Sequence, residues 1–214
     1  NSTNSRACIL SKVVFCALCG HVCSRKVRKS QTFVWCCRTH LQSAALCPLK
    51  PVSETEIQQA FLSVYNKLQA NQSYILQPII DTLLQLRFLQ EQANSARQTA
   101  RDDVQRLAKQ RHNLTRIHTL GYIDNAQFLE RSIALDQQLR EKKKFLSKRT
   151  TDNSFERVLF QTRSIQQQLG SSPPLETFDG TIFTKLVNRV QVSPTTIEFK
   201  FMNGMTLSEK RSSL

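Results

Sequence analysis

Phe15-Cys16-Ala17-Leu18-Cys19-Gly20 opens the segment that decides the fold, and Phe33-Val34-Trp35-Cys36-Cys37-Arg38-Thr39-His40 and Cys47-Pro48 complete it. Two thiols separated by two residues fold back onto one metal ion in a tight knuckle, and Gly20 frees the backbone just after it. A closed tetrahedral site needs two more donors, for which Cys36, Cys37, His40 and Cys47 are the candidates. Seven cysteines make an odd count and nothing resembles a signal peptide, so the Cys-x-x-Cys pair points to metal rather than to a disulfide framework.

Between the two knuckles, residues 21–37 alternate and are β-prone, and Arg28-Lys29-Ser30 suits a hairpin tip. Two knuckles joined by a strand pair with a basic far end outline a zinc ribbon. Side chains two apart on a strand share a face, so Phe33, Trp35 and Cys37 point together and Cys36 points away. Cys37 is the preferred third ligand and Cys36 its alternative. For the fourth, Cys37-Arg38-Thr39-His40 makes a plausible Cys-x-x-His knuckle and Cys47 competes; spacing leaves both open. Cys8 and Cys23 read as small buried or half-buried thiols.

Charge narrows the function. The chain carries +14 in 214 residues, and residues 1–50 contain no Asp or Glu but eight Lys or Arg. A dense field of one sign repels itself and commonly has a polyanionic partner, nucleic acid or an anionic membrane. No apolar run reaches the roughly 20 residues that span a bilayer, so double-stranded DNA is the expected partner, with no membrane and no small-molecule substrate. Arg25, Lys26, Arg28 and Lys29 at the hairpin tip are the expected DNA contacts, with Gln31 placed to read a base edge. The chain starts at Asn1 rather than Met, which reads as a piece of a longer protein.

The middle of the chain is helical. Ser53 and Glu56 form a capping box opening a helix to about Leu68. Ser73 is placed to cap a longer helix, with Pro78 in its first turn. From Ile79, steps of four and three give Leu83, Leu86, Gln90, Ala93, Arg97, Ala100, Val104, Leu107, Arg111, Leu114 and His118, a heptad seam with polar interruptions. Gly121 breaks it, Asp124 or Asn125 caps the next helix, and the seam resumes at Phe128, Ser132, Leu135, Leu139, Lys142 and Leu146. The result is an antiparallel helical hairpin with arms of up to roughly 40 Å, carrying apolar Leu120, Tyr122 and Ile123 at its tip. A shorter helix follows from Asn153 to about Leu169. Another opens at Asp179 or Thr181 and runs to about Arg189, with strands at 191–192, 196–201 and 205–207 and a turn at Asn203-Gly204. This last hairpin is placed back near the ribbon, and the tail from Ser208 is expected to be loose.

The fold class is therefore α+β: a zinc β-ribbon with a long antiparallel coiled-coil hairpin and a closing β-hairpin. Its parts are a linker remnant (1–9), ribbon (10–52), connecting helix (53–72), helical hairpin (73–150), returning helices and β-hairpin (151–207) and tail (208–214).

These residues resemble the C-terminal part of the large serine recombinases. The resemblance rests on Leu10-Ser11-Lys12 leading into the Cys16-x-x-Cys19-Gly20 knuckle, on Trp35 beside the cysteine doublet, and on Cys47-Pro48 before the helix with Ala60-Phe61. It continues through Gly121-Tyr122-Ile123-Asp124 and Phe128 at the hairpin turn, and Phe183, Leu186-Val187, Val190-Gln191-Val192 and 199–204 near the end. It implies Cys47 as the fourth ligand, since the family's fourth ligand is a cysteine before the helix, and with Cys37 from the strand faces the expected zinc site is Cys16, Cys19, Cys37 and Cys47. The Cys36-Cys37 doublet and Cys23 depart from the pattern. It further implies recognition of attachment-site DNA in the bacterial cytoplasm, during recombination of a mobile element. The helical arm would meet other recombinase subunits in synapsis and in setting direction. The catalytic serine domain lies outside this chain, which is then not itself an enzyme. Two other readings remain: a coiled-coil adaptor whose ribbon binds protein, and a Cys-His enzyme using His21 or His40, for which no local carboxylate orients the imidazole.

Overall fold

The computed structural model describes residues 8–28, 30–147 and 154–211, and it separates into two compact units. Residues 1–81 with 156–214 form the first unit and residues 82–155 the second. The class is α+β, as the sequence predicts.

The first unit holds the ribbon and the closing strands. β1 (Val14–Cys16), β2 (Cys23–Val27), β3 (Phe33–Cys37), a short helix α1 (Arg38–Gln42) and β4 (Val52–Ser53) come first. β2, β3 and β4 form an antiparallel three-stranded sheet, with Cys23 opposite Cys37 and Val27 opposite Phe33. β1 leaves this sheet and pairs in parallel with β5 (Val187–Val192), near the far end of the chain. β5 continues antiparallel into β6 (Thr196–Phe201) and β7 (Thr206–Lys210), so the sheet order is β1-β5-β6-β7. The closing hairpin thus returns to the ribbon through main-chain hydrogen bonds.

α2 (Glu54–Ala70) packs across this unit. Its apolar residues recur at helical spacing, and Ile57, Ala60, Phe61, Val64, Tyr65 and Leu68 are all buried. Phe61 lies at the centre, meeting the rings of Phe183, Phe178 and Phe199 at 5.1, 5.7 and 5.9 Å in edge-on geometry, the arrangement the ring quadrupole favours. Ser53 caps the helix by accepting the Glu56 N–H. The capping box is only half made, because the Glu56 carboxylate pairs with Arg211 at 2.9 Å.

α5 (Ser154–Gly170) and α6 (Gly180–Leu186) complete the unit. Asp179 caps α6, accepting from the Thr181 and Ile182 N–H groups. That helix ends at Leu186 rather than near Arg189, because β-branched Val187 and Val190 are drawn into the sheet. The Asn203-Gly204 turn joins β6 to β7, with Gly204 at φ +89°. The expectation of a loose tail from Ser208 is corrected: β7 runs to Lys210, Glu209 pairs with Lys67 at 2.7 Å, and Arg211 closes on Glu56. Residues 212–214 lie outside the described residues.

α3 (Gln72–Thr119) begins in the first unit and continues into the second. It opens at Gln72, ahead of Ser73, with the Ile75 N–H bonded to the Asn71 carbonyl. Pro78 accordingly falls in the second turn rather than the first, and its missing N–H removes the bond that the Tyr74 carbonyl would accept.

In the second unit α3 packs antiparallel to α4 (Asn125–Ser147). Ala100, Leu107, Leu114 and Leu139 are buried along the predicted seam. Its polar interruptions are rungs: Arg97 donates to the Leu146 carbonyl at 2.7 Å, Lys142 pairs with Asp103 at 2.7 Å, and Arg111 pairs with Asp136 at 3.1 Å. His118 stacks on Phe128 at 4.2 Å. Gly121 (φ +77°) ends α3 in a Schellman turn, with Tyr122 N–H bonded to the Ile117 carbonyl and Gly121 N–H to that of His118. Asp124 caps α4 through the Gln127 N–H. Higher in the seam, Leu86 and Ala93 are exposed rather than covered.

Candidate metal centre

Local geometry delivers the cysteines from separate places. Cys16 ends β1, Cys19 lies in the turn beyond it, Cys37 ends β3, and Cys47 lies in the loop before β4. The Sγ atoms of Cys16, Cys19, Cys37 and Cys47 all lie within 4.8 Å of one another. Cys16 and Cys47 are 3.5 Å apart, and Cys19 and Cys37 3.3 Å. Four sulfurs held about 2.3 Å from a central ion sit about 3.8 Å from each other, so this donor set fits a tetrahedral metal ion.

The first knuckle is held by the Gly20 N–H bonded to the Cys16 carbonyl and the Cys16 N–H bonded to that of His21, each at 2.9 Å. Gly20 takes φ +75°, where a side chain would strain the turn. Backbone N–H groups are directed at the sulfurs, from Leu18 and Cys19 to Cys16, from His21 to Cys19 and from Leu49 to Cys47. Such donors favour thiolate and orient it.

The thiols are not equivalent. Burial pushes Cys16 up to about 12 and raises Cys47. The Thr39 hydroxyl, 3.5 Å from Cys19, pulls that thiol down to about 5, with help from the His21 backbone and Cys37. Four thiolates this close repel strongly, and a central cation is what would let all four ionise.

The other candidates fall outside the cluster. Cys36 is buried on the opposite face of β3, level with Ser24, and burial raises its thiol. His40 turns its Nδ1 to the Cys47 carbonyl at 2.7 Å, where it supports the second knuckle. Cys23 is buried opposite Cys37, and Cys8 lies 3.9 Å from the Glu54 carboxylate.

The basic hairpin divides by strand alternation. Lys26 and Arg28 are exposed, and Gln31 is exposed in the turn at φ +58°; Lys29 lies outside the described residues. Arg25 points to the other face. Its guanidinium stacks 3.5 Å above Phe33 and holds both Glu54 oxygens at 2.7 Å. The Trp35 indole N–H reaches the same carboxylate at 3.2 Å. Arg25, a DNA contact in the sequence reading, is thus bound within the fold. Sequence reasoning also missed Glu54 and Thr39. Glu54 is the first acid in the chain, after 53 acid-free residues, a signal that could have marked it as the ribbon's internal counter-ion. At the hairpin tip of the second unit Leu120 and Tyr122 are exposed and Ile123 is half-buried.

Residues 9–66 match the recombinase zinc beta ribbon domain. The match spans both knuckles, the β2–β3 hairpin and most of α2, and it agrees with the ribbon part of the resemblance. Among solved structures, the crystal structure of an LSR–DNA complex is similar at 14% identity and a TM-score of 0.35, over 94% of this chain and 58% of that one. The chain therefore spans a little over half the length of that relative. No curated protein matches it by sequence. Among the described residues no helix is long and apolar enough to cross a membrane.

Proposed function

We propose that this chain is the zinc-dependent DNA-binding module of a large serine recombinase. Cys16, Cys19, Cys37 and Cys47 hold one Zn²⁺, the usual occupant of an all-sulfur tetrahedral site when no iron–sulfur chemistry is called for. The metal ties β1, β3 and the loop before β4 together and so presents the β2–β3 hairpin. Lys26, Arg28 and Lys29 contact phosphate of attachment-site DNA, and Gln31 is placed for a base edge. The observation that carries this reading is the convergence of four sulfurs within 4.8 Å inside the recombinase-type ribbon. By the same reading the helical hairpin meets other subunits in synapsis. Leu120, Tyr122, Leu129 and Ile133 leave apolar surface exposed in that unit, as partner surfaces do.

Elemental analysis of the purified chain should find about one zinc per chain, and the chain should bind duplex DNA in a salt-sensitive way. Lys26→Ala with Arg28→Ala should keep the zinc and flatten the plot of log affinity against log salt by about 1.8, at 0.9 for each lost phosphate contact. Unchanged binding in that variant would refute the hairpin as the DNA surface. Zinc-free protein that still folds would refute the metal assignment.

A further inference from the structure

The four-stranded sheet buries one face and leaves the other bare. Val14, Val190, Val192, Ile197, Phe199 and Phe201 line the buried face. On the bare face the register sets Arg189 opposite Lys200, and Lys200 opposite Thr206. The next row runs Phe15, Gln191, Glu198 and Ser208, and Thr196 with Lys210 ends the face. Three cations thus share a polar surface with one acid.

Arg189 is held in a particular way. Its guanidinium lies 3.8 Å above the Phe15 ring, and its Nε is buried without a hydrogen-bond partner among the described residues. Stacking on an aromatic ring fixes the guanidinium plane while leaving its charge without a carboxylate, an arrangement suited to phosphate. From Thr206 to Lys210 the strand advances about 14 Å, so the cations are spread over several successive charges of a DNA strand, which recur about every 3.4 Å along the axis.

We propose that this bare sheet face is a second contact surface for the phosphate backbone of duplex DNA, with Arg189, Lys200 and Lys210 as the contacting groups. This rests on the DNA-binding reading above. The surface is continuous with the ribbon, since β1 carries Phe15 on this face and ends at Cys16 in the cysteine cluster. It suits phosphate better than a lipid core or an apolar protein patch: Gln191, Thr196, Thr206 and Ser208 offer hydrogen-bond donors, and Phe15 is covered by Arg189.

The test is Lys200→Ala with Lys210→Ala in the full chain, both side chains being exposed. Fluorescence anisotropy on labelled duplex, titrated across salt, should show the slope of log affinity against log salt shallower by about 1.8. Zinc content and melting temperature should not change. Arg189→Gln should remove about another 0.9. An unchanged slope in the double lysine variant, alongside a flattened one for Lys26→Ala with Arg28→Ala, would overturn this surface and leave the hairpin reading intact. No duplex binding by the unaltered chain would overturn both. Loss of binding to phosphatidylserine-containing vesicles in the double lysine variant, with the duplex slope unmoved, would assign the face to lipid instead and overturn the proposal.

Discussion

Adjacent cysteines give the sharpest test of the metal site. Cys37→Ser removes a sulfur from the four-thiol cluster, whereas Cys36→Ser alters a buried side chain on the opposite face of the same strand. Structural zinc contributes about 10–16 kcal/mol to a small metal-folded unit. Shared among four sulfurs, each accounts for about 2.5–4 kcal/mol, or a loss of about two to three powers of ten in metal affinity. Of the remaining sulfurs, Cys16 and Cys47 are buried and Cys19 is half-buried, so little else offsets that loss. Cys36→Ser instead places a hydroxyl where the thiol was, at about 1–3 kcal/mol, with metal stoichiometry intact. Competition with a chromophoric chelator, run beside thermal melts with and without zinc, reads both quantities. Retention of wild-type zinc affinity by Cys37→Ser, with its loss in Cys36→Ser, would refute the reasoning from strand faces.

Other outcomes follow from single contacts. Arg25→Ala should destabilise the first unit by about 1–2 kcal/mol, because it strips the two guanidinium hydrogen bonds from the Glu54 carboxylate, whose side chain is only 14% exposed, and leaves it the Trp35 indole N–H; a melt no different from that of Lys26→Ala would contradict the division of the hairpin into two faces. Lys67 and Ser63 hold the Glu209 carboxyl below its ordinary value of 4.5. Its pairing therefore stabilises the fold above that value and is lost as pH falls through the lower folded value, so Lys67→Ala should flatten that part of an acid-melting series, and an unchanged profile would show the pair to be inert. Replacing residues 114–128 by a short Gly-Ser turn should leave zinc content and DNA affinity intact while abolishing association between DNA-bound modules, as sedimentation of the complexes would show. Persistence of that association would make the arm a brace rather than a contact device.

Much of this molecule is written in short-range pattern. The Cys16-x-x-Cys19-Gly20 knuckle, the Ser53 cap, the heptad seam, the Gly121 break and the Asn203-Gly204 turn each depend on residues within a few positions of one another. Their periods and backbone preferences therefore survive without knowledge of the rest of the chain. The same locality explains the errors. Pro78 falls a turn later than the local pattern predicts, because helix starts are set by capping geometry that several nearby residues satisfy. The order of the tail is invisible to local pattern because its partners, Lys67 and Glu56, lie more than 140 residues away.

The sequence by itself determined the classes of element, the presence of a four-donor cluster and the excess of positive charge near it. Tertiary structure decided which equivalent candidates meet. Spacing permits either His40 or Cys47 beside the first knuckle, and closure of the loop brings in the Cys47 sulfur while His40 turns to its carbonyl. Composition counts Arg25 with Lys26, yet strand alternation gives one to Glu54 and the other to solvent. Nothing local announces that β1 pairs with β5, a parallel contact across about 175 residues of chain. Such contacts depend on which faces are left over once local structure has formed, and burial of those faces against each other is a property of the whole chain.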